Sequence, residues 1–286
     1  MTDYRFPGSL DEALDLLQAY QGQGQVIAGG TDVMPDLRQG KIGPGVLVDI
    51  TRIPGLDAIL VESDWVIVGA TATLAAIGDD PFLHERVPAL VDAVRSVGAE
   101  AIQNAATWAG NLVQAMPAAD GAVVALALEA EARVVDRDGA AWRPVQSLFL
   151  GPGRSAIDPT GQIVSHIRFP LPAGRWGTAW RRLGRRASLV LPILNCAVKV
   201  ELDDGRIRRA TVALGPVATR PFRAAAAEAY LAGQEISEVI FAEAGRLAQG
   251  ECNPRTSIMR ASREYRLAVI PELVRDALRH AVESAH

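Results

Sequence analysis

The sequence predicts an α+β protein of two domains, and three observations carry that expectation. The chain has 286 residues, more than one typical domain needs. Helical and strand-like segments alternate along it without one regular period, which favours α+β over a doubly wound sheet. A Gly/Pro-rich stretch at 151–177 precedes the clearest hairpin in the chain, so a boundary near 175 divides it into residues 1–174 and 175–286. Apolar residues make up 49% of the chain, enough for a packed core and against extended disorder.

Each element follows from a local pattern. In SLDEALDLLQAY (9–20), Ser9 reads as an N-cap and Glu12 completes a capping box, while Leu10, Ala13, Leu14, Leu17 and Tyr20 line one helical face. QVIAGG (25–30) is a short buried strand running into a glycine turn, and VLVDI (46–50) is a second strand. AILVESDWVIVGATATL (58–74) reads as a hairpin turning at Ser63–Asp64. FLHERVPALVDAVRSVG (82–98) reads as one helix with Gly98 as its C-cap. ADGAVVALALEAEARVVD (119–136) starts as a helix and runs into the strand EARVVD. GQIVSHIRFPLP (161–172) is strand-like. NCAVKVELDDGRIRRATVALG (195–215) turns at Asp204–Gly205, the favoured two-residue hairpin chemistry. The rest is helical: 223–233, 237–250 and 262–282, where Pro271 should kink or divide the last helix.

Composition narrows the function classes. The net charge of −4 gives no global field for nucleic acid. Two cysteines, Cys196 and Cys252, cannot build a disulfide framework, an iron–sulfur cage or a four-Cys zinc site, and read as buried thiols. His84, His166, His280 and His286 lack ligand spacing, so no metal site is expected. The N-terminus has no signal-peptide pattern, and the longest apolar run (122–128) is too short for a membrane span. The expectation is a soluble, cytoplasmic protein. No Ser–His–Asp set or acid/base pair stands out.

Two glycine-containing segments remain as candidate chemistry. In VIAGGTD (26–32), Val26, Ile27 and Ala28 lead out of a sheet. Gly29 and Gly30 tolerate positive φ and let a ligand approach the main chain, whose successive N–H groups suit a diphosphate. Thr31 adds a hydroxyl. Asp32 is awkward beside a phosphate, since like charges repel by ~1 kcal/mol at about 4 Å in water and more when desolvated. Without G-x-G-x-x-G, the turn alone is also compatible with an ordinary strand-to-loop connection. The second segment is NAATWAGNLVQAMPAAD (104–120), a series of small residues with Thr107, Asn111 and a closing Asp120 that suits a helix cap or a ribose partner.

The pair, about eighty residues apart, resembles the FAD-binding subunit of molybdenum hydroxylases, the xanthine dehydrogenase and carbon monoxide dehydrogenase family. The resemblance continues through 148–172, 181–207, 213–231 and 260–278, nearly the whole chain. It implies a two-lobed, vanillyl-alcohol-oxidase-like (PCMH) FAD-binding domain followed by a sheet-plus-helices domain like the C-terminal domain of CO dehydrogenase flavoproteins. By position, Val26, Ile27, Ala28, Gly29, Gly30, Thr31 and Asp32 would wrap the FAD diphosphate. Gly98 and Ile102 would lie beside the cofactor, and Ala106, Thr107, Gly110 and Asn111 would form the second loop. Asp120 would reach the ribose or ribityl region, Ile163 and Val164 would flank the flavin, and Arg182 would stand where many relatives carry a nearby Lys. Three departures matter: Ala109 replaces the first glycine of the usual pair, Trp108 a small aliphatic, and Val190–Leu191 an Asp followed by Ile or Tyr beside the isoalloxazine.

The resemblance further implies a small iron–sulfur partner with [2Fe–2S] clusters, a large partner with the molybdopterin cofactor, and a heterotrimer doubled to a hexamer. Electrons would pass from the clusters through FAD to an external acceptor. A self-sufficient flavin oxidase or reductase and a cofactor-free scaffold subunit stay open as alternatives. The C-terminal domain offers no glycine cradle, so it is expected to bind partners and no nucleotide of its own. Arg181, Arg182, Arg185 and Arg186 read mainly as a solvated or partner-facing cluster, with Arg182 the best ligand candidate.

Overall fold

The computed structural model describes residues 2–186 and 189–286. The first lobe runs β1 (Asp3–Arg5), α1 (Leu10–Ala19), β2 (Gly24–Ile27), α2 (Val33–Arg38) and β3 (Val46–Asp49), with the strands parallel in the order β1-β3-β2. Ser9 caps α1, with Glu12 N donating to Ser9 Oγ at 3.1 Å, but the reciprocal half of the expected box shifts by one residue: the Glu12 carboxylate accepts from Gly8 N instead of Ser9 N. Ala13, Leu14 and Leu17 are the buried face. The short helix α2 has no period to mark it in advance; it starts as soon as the glycine turn closes, with Met34 N donating to Gly30 O.

The second lobe opens on β4 (Ile59–Glu62) and β5 (Trp65–Gly69), the hairpin turning at Ser63–Asp64 with Ser63 at φ 52°. There follow α3 (Leu74–Asp79), α4 (Pro81–Arg86), α5 (Pro88–Arg95), α6 (Glu100–Gln103), α7 (Trp108–Val113) and α8 (Asp120–Ala127). Then come β6 (Glu131–Asp136), β7 (Gly139–Pro144), the small pair β8 (Phe149–Gly151) and β9 (Arg154–Ser155), and β10 (Ile163–Pro170). The antiparallel sheet is ordered β4-β5-β10-β6-β7.

The single helix expected over 82–98 is two helices. Val87 leaves the α region (φ −133°, ψ 55°) because Pro88 disfavours it there, and Pro88 begins α5 at the position that tolerates a missing N–H. Ser96, not Gly98, caps α5, although Gly98 does take the left-handed conformation at φ 59°.

The C-terminal part is an antiparallel sheet backed by helices: β11 (Arg175–Leu183), β12 (Leu194–Asp203), β13 (Arg206–Gly215) and β14 (Phe222–Arg223), then α9 (Ala225–Leu231), α10 (Glu238–Glu251) and α11 (Arg263–Glu283). The β12–β13 turn has Asp204 at φ 44° and Gly205 at φ 73°, as the Asp-Gly pair predicts. Pro271 does not divide α11. Its missing N–H leaves Leu267 O without a helical partner, and Gln249 of α10 donates Nε2 to that carbonyl at 2.9 Å. Gly245 makes the approach possible, since a Cβ there would lie 2.4 Å from Pro271 O.

The larger core takes in both lobes together with Trp176, Trp180, Ala197 and Ala213, so it crosses into the C-terminal sheet. A second core lies between that sheet and α9–α11 and holds Cys196 and Cys252 as free, buried thiols. Among the described residues, no helix is long and apolar enough to cross a membrane.

Candidate functional site

Both glycine segments meet in one cleft of about 620 Å³, a size that suits a cofactor or other small molecule. The β2 strand carries the chain to Ile27, and Gly30 then turns at φ 67°, where a side chain costs roughly 1–2 kcal/mol. Gly29 serves a different purpose from the one its sequence suggests. A Cβ on it would lie 2.0 Å from Ala105 O and 2.9 Å from Ala106 Cα, so the missing side chain lets the two segments touch each other. Asp32 occupies the N-cap position of α2 without a side-chain cap bond and stays exposed.

The segment 104–120 is helical over much of its length. Thr107 caps α7, its Oγ1 accepting from Gly110 N at 3.1 Å, and it bridges to Thr73. Trp108 is wholly buried, donates Nε1 to Gly121 O at 2.9 Å, and stands edge-on to Phe169. A large aromatic there is therefore a core anchor. Ala109 is 5% exposed, and its methyl group is accommodated at the cleft wall. Asn111 has a buried Oδ1 with no hydrogen-bond partner among the described residues.

Asp120 is the first residue of α8, and Ala119 takes the N-cap position, which corrects the expected capping role. The Asp120 carboxylate accepts from Asn195 Nδ2 at 2.6 Å and lies 3.5 Å from Arg182 Nε. Burial pushes its pKa up to about 6, against the opposing pull of Asn195 and Arg182.

The cleft wall includes sixteen of the eighteen residues that sequence reasoning selected: Val26, Ile27, Ala28, Gly29, Gly30, Thr31, Asp32, Gly98, Ile102, Ala106, Thr107, Gly110, Asn111, Asp120, Val164 and Leu191. The other two lie behind it. Ile163 is fully buried in the core, while its neighbour Val164 reaches the cleft. Arg182 stands behind Asp120 and donates to Val190 O. The rest of its cluster is also engaged: Arg181 bonds Asp276 at 2.5 Å, Arg185 donates to Met259 O, and Arg186 donates to Leu189 O. Sequence reasoning missed the C-terminal contribution of Pro216, Ala218, Thr219, Asn253, Arg255, Arg260 and Arg266. Arginines spaced along NPRTSIMRASREYR (253–266) were the available signal.

A long cofactor with a diphosphate fits these residues. The Gly29–Gly30 turn presents main chain and the walls are small or apolar, whereas the buried Asn111 Oδ1 turns toward Gly121 of α8.

Residues 1–172 match the family model described as the FAD binding domain in molybdopterin dehydrogenase, and residues 179–281 match the CO dehydrogenase flavoprotein C-terminal domain. The chain is 30% identical over 285 residues to the 6-hydroxypseudooxynicotine dehydrogenase complex subunit alpha of Paenarthrobacter nicotinovorans, covering 99% of this chain and 95% of that one. It is 26% identical over 283 residues to the xanthine dehydrogenase FAD-binding subunit of Escherichia coli O157:H7, covering 99% and 96%. A solved carbon monoxide dehydrogenase from Hydrogenophaga pseudoflava superposes with a TM-score of 0.92 at 27% identity, covering 100% of this chain and 98% of that chain. Two consecutive matched domains, and a fold shared end to end with such a subunit, place the chain in the family of FAD-binding subunits of the molybdenum hydroxylases.

Proposed function

We propose that this chain is the FAD-carrying electron-transfer subunit of a cytoplasmic, heterotrimeric molybdenum hydroxylase that doubles to a hexamer. A small subunit with [2Fe–2S] clusters delivers electrons, a large subunit with the molybdopterin cofactor oxidises the substrate, and an external acceptor is reduced at the cleft described above. When bound, FAD supplies the exchange between one- and two-electron transfer, and the protein supplies binding, orientation and electrostatics.

The observation that carries this reading is the closure of both glycine segments on one cleft by the Gly29–Ala105 contact. In it, the Gly29–Gly30 main chain and Thr31 hold the diphosphate. Gly98, Ile102, Ala106, Thr107, Gly110 and Asn111 form the facing wall, and Asp120 lies within reach of the ribose or ribityl hydroxyls. Val164 and Leu191 exclude water from the ring, while Arg182 acts from behind by holding Asp120 and the Val190 carbonyl. The FAD-binding domain takes residues 1–174 and the C-terminal domain 175–286.

The test is purification of the tagged chain expressed with its neighbouring subunits, followed by absorbance, metal analysis and native mass. Flavin, iron–sulfur and molybdenum signals in one species of doubled-trimer mass are expected. A three-subunit complex without flavin absorbance would make the chain a scaffold. A flavin-loaded chain that turns over substrate alone would make it a self-sufficient flavoenzyme.

A further inference from the structure

The C-terminal wall of the cleft carries three arginines with no acidic partner among the described residues. Arg255 and Arg260 sit on the loop between α10 and α11, and Arg266 lies in the first turn of α11. Neither Arg255 nor Arg260 has a side-chain hydrogen-bond or ion-pair partner among the described residues. Arg266 is 1% exposed; one terminal nitrogen donates to Pro216 O at 3.2 Å, and its buried Nε has no partner. Burial, with mutual repulsion, lowers the pKa of Arg260 and Arg266: Arg255 acts on Arg260, and both act on Arg266.

Leaving a buried cation unpaired is costly, so this arrangement is one that an anion relieves. The loop that presents it is tied down. Ser257 N donates to Ala261 O at 2.9 Å, Arg263 N to Thr256 Oγ1 at 3.0 Å, Asn253 N to Val217 O at 2.9 Å, and Arg185 to Met259 O at 3.1 Å. The N-terminus of the 21-residue α11 adds its dipole to the same place.

We propose that Arg255, Arg260 and Arg266 form a second anion subsite of the cleft, which takes a phosphate-type oxyanion distinct from the FAD diphosphate. A tetrahedral dianion offers several oxygens to guanidinium forks and offsets more of the triple charge than a single carboxylate does. The FAD diphosphate is assigned to the Gly29–Gly30 turn, on a wall built by the N-terminal domain, while the arginines belong to the C-terminal wall. This assignment rests on the reading of the cleft as the FAD site, and it gives the C-terminal domain a ligand of its own, against the expectation from its lack of a glycine cradle.

The test is calorimetric titration of the FAD-loaded complex with inorganic phosphate and, separately, with ADP. The double variant Arg255→Ala/Arg260→Ala is compared; it leaves the buried Arg266 in place. Phosphate should bind the parent, weaken as salt is raised, and weaken about tenfold or more in the double variant, with FAD content unchanged. The Arg255→Lys/Arg260→Lys pair, which keeps the charge, should recover part of the affinity and guards against a folding defect. Tighter binding of ADP than of phosphate identifies a nucleotide as the source, and equal binding identifies free phosphate; both support the subsite. No phosphate binding, equal binding by the alanine variant, or loss of FAD from that variant overturns it. If the parent itself lacks flavin, the proposed function fails while the phosphate titration still decides the subsite.

Discussion

Replacing Gly29 by alanine tests whether the two glycine segments are locked together. Its Cβ would sit 2.0 Å from Ala105 O, where ordinary contact begins at 3.4 Å, so the segments must part by about 1.4 Å. The obstructing atoms are backbone, which does not rotate away as a side chain would. Overpacking of this kind costs roughly 1–3 kcal/mol, or about 2–12 °C in melting temperature for a chain of this size. The same energy falling on the FAD-bound conformation weakens the cofactor roughly 5–150-fold. Gly30→Ala is the contrast. It carries the cost of positive φ at 67°, but its nearest neighbours would be side-chain atoms, Ile27 Cδ1 at 3.1 Å and Met34 Cγ at 3.2 Å, instead of backbone. Gly29→Ala should therefore lower both flavin content and melting temperature, whereas Gly30→Ala should leave the facing segment in place. The assays are flavin absorbance per chain after purification and thermal unfolding of the flavin-free protein. A Gly29→Ala protein with full flavin content and an unchanged melting temperature would refute the contact.

Two further outcomes follow from the cleft. The Asp120 pKa is raised in the fold, from 3.8 to about 6, so its neutral form is the stabilised one; the contribution, about 3 kcal/mol, is present below about pH 4 and lost as pH rises through 6. Asp120→Asn should flatten this part of the stability–pH profile in urea unfolding, and an unaltered slope would mean that Asp120 does not titrate as its burial dictates. Val190→Asp places a carboxylate at the cleft wall, and in a folded, FAD-loaded variant with that group ionised the flavin midpoint potential should fall, because negative charge disfavours the anionic reduced ring. An unshifted potential would remove residue 190 from the neighbourhood of the isoalloxazine.

Features written in adjacent residues were legible in the sequence. The Ser9–Glu12 cap, the Ser63–Asp64 and Asp204–Gly205 turns and the glycine turn after β2 all follow from neighbours within a few positions. The helix break at Pro88 was misread because the apolar spacing runs on across it, although the residue before a proline resists the α region. Short helices such as α2 and α7 carry too few residues to show a period; only the Thr107–Gly110 cap marks α7. The parts of the site that were hidden depend on distant pairings. Asp120 meets Asn195 across 75 positions, and Arg266 meets Pro216 across 50. No window of sequence reports that these groups share a wall.

Those distant pairings also explain why the C-terminal part belongs to the cleft instead of hanging beside it. Every residue of α8 is buried, including its first, Asp120, and a helix without a polar face must be covered on all sides. The C-terminal sheet supplies one of those sides. Asn195 of β12 reaches Asp120, and Thr211 of β13 donates to Ala127 O at 2.5 Å. Gly215 comes so close that a Cβ would meet Val123 at 2.7 Å and Pro117 O at 2.8 Å. At the far end of α8, Lys199, 2% exposed, donates to Glu129 at 2.9 Å, and Arg209 and Arg223 converge on the same carboxylate. The seam is thus closely packed, apolar in the middle and held by polar pairs at both ends of α8, and Asp120 lies at once in the seam and in the cleft wall. A change that loosens β12 or β13 from α8 must therefore displace Asp120, and with it the wall between the Gly29–Gly30 turn and the arginines.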